Sequence, residues 1–128
     1  MEIKAKVPSI GKFEEGLTLK EFKKKALSLG LAHGTEEERE EAGIPSLEAY
    51  KNASLSACIA GMYEKDEEGN IVSVTELGWT VGIDDGENGY ILATHRKSDS
   101  PRLFKTLDAV ADNLSEMGVI DFMVFNTL

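Results

Sequence analysis

The apolar positions Leu19, Phe22, Ala26, Leu27 and Leu29 recur at helical spacing between polar neighbours. Ahead of them, Thr18-Leu19-Lys20-Glu21 has the form of a capping box, in which a threonine hydroxyl and a glutamate carboxylate each satisfy the other's backbone amide. Gly30 and Gly34 supply stop signals, so the spacing predicts a helix over about residues 18–31. A second box, Thr35-Glu36-Glu37-Glu38, opens a short polar helical turn that Gly43 and Pro45 close. Ser46 is placed to cap a third short helix, Leu47 to Ala53.

From Ser54 the period changes to two, with Leu55, Ala57, Ile59 and Tyr63 on one face. Asp66-Glu67-Glu68-Gly69-Asn70 provides a turn into a second strand, where Ile71, Leu77, Trp79, Val81 and Ile83 are assigned one phase and Gly78 a bulge. Asp85-Gly86-Glu87-Asn88-Gly89 then turns the chain into a third strand, Tyr90 to Lys97. After the loop 98–101, Thr106 caps a helix with the stripe Leu107, Val110, Ala111, Leu114 and Met117, ended by Gly118. The last strand, Phe122 to Phe125, is apolar on both faces, which predicts a covered position with Leu128 close to the core. The three prolines, Pro8, Pro45 and Pro101, are read as punctuation between elements.

The expected fold is α+β. A single domain spans 1–128, helical over 1–53; residues 54–128 form a three-stranded antiparallel meander, a packed helix and a final strand joining the sheet. Strands are placed at about 54–64, 71–83, 90–97 and 121–126. The predicted core is Phe22, Leu27, Ile59, Trp79, Val81, Leu92, Leu107, Val110, Leu114, Phe122 and Val124.

Composition adds limits. With 41% hydrophobic and 29% charged residues the chain is an ordinary globular protein. No apolar run approaches the ~20 residues that cross a bilayer, and the start lacks an apolar signal stretch, so no membrane is expected and a cytoplasmic location is. The net charge of −9 is uneven. Residues 1–30 carry seven lysines against four glutamates, a net +3; residues 31–90 carry three basic against fourteen acidic, a net −11; residues 91–128 carry four against five, a net −1. Such a field repels phosphates and favours basic partners.

Catalytic chemistry has little to build on. Cys58 is the single cysteine and His33 and His95 the two histidines, at spacings that favour no triad. Cys58 reads as a buried inert thiol and His95 as a surface strand residue, so no catalytic residue is expected. Asp84, Asp85 and Glu87 lack the alternating spacing of a calcium loop, and no phosphate-binding glycine motif occurs, so no metal and no cofactor are expected.

Two charged groups remain as candidate partner-binding residues. The acidic one is Glu36, Glu37, Glu38, Glu40 and Glu41 together with Asp84, Asp85 and Glu87; the basic one is His95, Arg96, Lys97, Arg102 and Lys105 around one loop. The first suits a protein partner with a basic surface, the second phosphate or an acidic partner, and for both the plain alternative is a solvated face. The order of helix, three strands and helix is similar to the double-stranded-RNA-binding fold. The last helix, however, carries Asp108 and Asp112 where such a domain presents lysines, which argues against direct nucleic-acid binding.

The run Gly89-Tyr90-Ile91-Leu92-Ala93-Thr94-His95-Arg96, followed by Pro101 to Val110 and by Gly118-Val119, resembles small plasmid partition-associated proteins of mobile elements over the C-terminal third of the chain. The resemblance implies an origin on a plasmid or phage and carries no catalytic residue across. In size, charge and lack of an enzyme motif the chain is similar to the anti-CRISPR class of proteins, which implies a non-enzymatic factor that inhibits a host nucleic-acid-guided effector complex. The second reading is a partition or regulatory accessory protein that contacts DNA through residues 95–105; a third is an enzyme using Cys58 or His95.

Overall fold

A computed structural model of the 128-residue chain describes residues 5–9, 15–45, 47–94 and 101–126. Its elements in chain order are β1 (Ala5–Ser9), β2 (Glu15–Leu17), α1 (Leu19–Ser28), α2 (Glu36–Ala42), α3 (Leu47–Asn52), β3 (Ser54–Lys65), β4 (Ile71–Asp84), β5 (Gly89–Leu92), α4 (Leu107–Glu116) and β6 (Met123–Phe125). The fold is α+β.

Capping chemistry starts the helices where expected. Thr18 and Glu21 complete the box at α1, Thr35 and Glu38 that at α2, and the Ala109 amide donates to the Thr106 hydroxyl at 3.1 Å at the start of α4. The proposed cap at Ser46 lies outside the described residues.

The sheet is mixed and has six strands, which corrects the purely antiparallel picture. β3, β4 and β5 pair consecutively and antiparallel, but β2 joins β5 in parallel and β6 joins β3 in parallel. The path is β1-β3-β4-β5-β2, and β1 and β6 share one edge of β3, β1 at Gly61–Lys65 and β6 at Ser56–Cys58. Two strands therefore come from the part expected to be helical. Their three to five residues are too few to show a period, and both depend on pairing to distant segments. Pro8 lies inside β1 rather than between elements, and an edge strand tolerates it because its missing N–H removes no interior bond. Of the expected third strand, β5 takes up Tyr90–Leu92 and Ala93 makes an isolated bridge with Pro101, while 95–97 lie outside the described residues.

One face of the sheet is the core. Opposed pairs Leu55 and Ile83, Ala57 and Val81, and Ile59 and Trp79 present their side chains to α1, which contributes Phe22, Ala26 and Leu27, and to α4, which contributes Val110, Leu114 and, one residue past its end, Met117. α4 packs over β4, and α1 over β5 and β2. Each fully buried side chain of this size contributes roughly 1.5–3 kcal/mol by leaving water. Of the predicted core, Phe22, Leu27, Trp79, Val81, Leu92, Val110 and Leu114 are buried, and Ile59, Leu107 and Phe122 are half-buried.

Val124 is a correction. It is 43% exposed, because β6 occupies the outer edge of β3 rather than a covered position. Leu128 lies outside the described residues. Ile71 and Leu77 are also exposed rather than buried with Trp79. The pairing shifts register between Ala60 and Gly61 and again between Glu64 and Lys65, so Leu77 and Val72 are extra residues; the two shifts together return Ile71, opposite Lys65, to the face of Trp79, where it is exposed with the rest of Ile71–Leu77. Gly78 sits at the first shift with φ +136°, and a Cβ there would stand 2.5 Å from the Phe104 carbonyl oxygen, so the bulge requires glycine.

Candidate functional site

α2 is a helix of seven residues with no buried side chain. It is held by its cap and by one ion pair. The Glu38 carboxylate accepts the Thr35 amide at 3.0 Å, and the Lys23 ammonium of α1 lies 2.9 Å from its other oxygen. The backbone bond to Thr35, then the hydrogen bond from Lys23, hold the Glu38 carboxyl down at about 2. Glu38 is thus committed to structure, while Glu36, Glu37, Glu40 and Glu41 are exposed around the helix.

Gly43, with φ +87°, ends α2 and turns the chain outward. The next residue, Ile44, is 99% exposed. With Pro45 it forms a ridge between two grooves. One, of about 580 Å³, is lined by Leu27, Ser28, Gly30, Arg39 and Tyr50; the other, of about 560 Å³, by Glu15, Glu21, Lys24, Lys25 and Tyr90. Tyr50 is 57% exposed and lies over Gly30, where a Cβ would come within 2.8 Å of its ring. An isoleucine, a tyrosine and an arginine next to exposed carboxylates are the ingredients of a protein-binding surface: apolar anchors with a polar rim.

Sequence periodicity did not single out Ile44. The available signal was an isoleucine between Gly43 and Pro45, in no helix or strand period, so that no element would bury it.

The second acidic group does different work. Asp85 is buried, and its carboxylate accepts the amides of Asn88 at 2.8 Å and Glu87 at 3.0 Å, while Lys25 stands 3.7 Å away and over the Tyr90 ring. Burial pushes the Asp85 carboxyl up, but the Asn88 and Glu87 amides, Lys25 and the Tyr90 hydroxyl together outweigh it and leave it lowered. Asp84 accepts the Gly86 amide at 2.7 Å. These carboxylates shape the hairpin turn, and among the described residues no three histidine, cysteine or acidic side chains are grouped as a metal site would need.

Through Lys23 and Lys25, α1 contacts both acidic groups, whereas the third acidic turn, at 66–70, lies at the other end of the 14-residue β4, up to roughly 45 Å away. Of the basic group, His95, Arg96 and Lys97 lie outside the described residues. Arg102 is half-buried with its guanidinium 5.0 Å from the Phe104 ring, and Lys105 is exposed. Cys58 is half-buried rather than buried, with its Sγ 3.8 Å from the Ser56 hydroxyl, because it faces away from the helices. Among the described residues no helix is long and apolar enough to cross a membrane.

Compared with known proteins, the chain matches no family model, no curated protein and no solved structure.

Proposed function

We propose that this chain is a non-enzymatic protein-binding factor of a plasmid or phage, and that it inhibits a host nucleic-acid-handling defence complex by seating α2 and the Ile44 ridge in a basic groove. The observation that carries the reading is the fully exposed Ile44 beside the exposed carboxylates of α2. Acidic side chains imitate the phosphates such a groove binds, and the isoleucine and Tyr50 add the desolvated anchors that carry most of the energy of protein interfaces. The plasmid or phage origin rests on the resemblance of the C-terminal third.

The test is affinity capture from a bacterial lysate that contains such complexes, with Ile44→Asp and the triple variant Glu37→Lys, Glu40→Lys, Glu41→Lys beside the unaltered chain. All these positions are exposed, so the fold is retained. Loss of the captured complex in both variants is expected. A second reading, an accessory partition or regulatory protein that touches DNA through residues 95–105, is favoured by the exposed Lys105 and by the stacked Arg102. It requires instead that Arg102→Glu and Lys105→Glu abolish binding, and that the target be DNA.

A further inference from the structure

α2 is a self-contained element laid on α1. Its sequence, Glu36 to Ala42, offers one apolar side chain, and Ala42 is only half-buried against the core. The Thr35 and Glu38 capping box satisfies the first amides from within, so the N-terminal end needs no neighbour to hold it. Among the described residues, the Lys23–Glu38 pair is the one side-chain bond from α2 to another element, and its side chains are 38% and 37% exposed. An ion pair this open to water is weak, and a helix of seven residues is too short to persist alone.

The two ends of the segment are restrained differently. Before it, the His33 amide is bound to the Gly118 carbonyl oxygen, and Gly34 then crosses Leu27 so closely that a Cβ there would stand 2.7 Å from the Leu27 Cδ2. After it, Gly43 has φ +87° and ψ 179°, a conformation essentially reserved for glycine, and nothing lies within 4 Å of its Cβ position. Ile44 follows, 99% exposed, and with Pro45 divides the two grooves that both reach Ser28 of α1. We propose that residues 34–44 open as one unit, α2 leaving α1 and unwinding while the rest of the domain stays folded, with the Lys23–Glu38 pair as the latch. Opening uncovers Leu27 and takes Ala42 and Ile44 out of the groove walls, so that the two grooves merge over Ser28. This motion belongs to the isolated chain and holds whatever α2 binds.

Native-state hydrogen exchange, read amide by amide by NMR, tests this. The amides of Glu40, Glu41 and Ala42 in α2 should be at least about a hundredfold less protected than those of Ala26 in α1 and Leu114 in α4. Lys23→Ala removes the latch, and so does Glu38→Gln, which keeps the capping box because glutamine also serves there. Each should lower the protection of α2 about 1.5- to 5-fold, the reach of an exposed ion pair. A mild core change, Ile83→Val, weakens the whole domain and should lower the protection of Ala26 and Leu114 about 2- to 12-fold while leaving α2 unchanged, since α2 exchanges without global unfolding. Protection of α2 equal to that of Ala26, an equal fall in both on Ile83→Val, or α2 protection that neither latch variant lowers would overturn the proposal.

Discussion

The amide of His33 donates to the carbonyl oxygen of Gly118 at 2.7 Å, tying the segment after α1 to the end of α4. Gly118 holds φ +87°, and a Cβ on it would collide with the His33 backbone.

Gly118→Ala should therefore cost about 2–3 kcal/mol, from left-handed backbone strain of about 1–2 kcal/mol plus displacement of the His33 strap. Gly69 has φ +84° with nothing near its Cβ position, so Gly69→Ala isolates the strain alone. Urea denaturation of both variants checks the claim. Equal midpoints would show that the close approach contributes nothing.

Leu114 is fully buried in the core cluster, whereas Val124 is largely exposed at the sheet edge. Leu114→Ala should lose about 2–5 kcal/mol, and Val124→Ala less than about 1 kcal/mol. Thermal unfolding of the two variants separates them, and a comparable loss from both would contradict the packing described for β6.

These two residues mark what was legible in the sequence. Leu114 lies on a stripe that repeats over three turns of one helix, and local periodicity decides its burial. Val124 sits in a three-residue strand whose position depends on pairing with β3, nearly seventy residues back, which no local pattern encodes. Trp79 and Leu77 show the same division within β4. Gly78 signalled a bulge, but that Leu77 would be the extra residue, and that a second one at Val72 would return Ile71 to the face of Trp79, depended on the register with β3. At the candidate site the charges of α2 were plain in the sequence. That Glu38 is taken up by Thr35 and Lys23, and that Ile44 stands free beside it, required the placement of α1 against α2.

Acid should weaken the fold through Glu38 and Asp85. Both carboxyls are lowered in the folded chain, so each stabilises it fully above its ordinary value, 4.5 for Glu38 and 3.8 for Asp85. The contribution of Glu38 is lost as pH falls from 4.5 through about 2, and that of Asp85 as pH falls below 3.8. Denaturation measured from pH 6 to pH 2 should show stability dropping over this window. Asp85→Asn and Glu38→Gln should each flatten that drop, and an unchanged slope in both would contradict the assignment.

α2 and the Ile44 ridge are the proposed working surface, and affinity capture tests this directly. The tagged chain, incubated with a nuclease-treated lysate at low and at high salt, should retain a nucleic-acid-guided effector complex, less of it at high salt because screening shortens to about 8 Å at physiological ionic strength and further above it. Combining Ile44→Asp with Glu37→Lys, Glu40→Lys and Glu41→Lys should abolish retention, while Arg102→Glu with Lys105→Glu leaves it within a few-fold. Retention that survives the α2 and Ile44 changes, or that disappears with the Arg102 and Lys105 changes instead, would contradict the proposed surface.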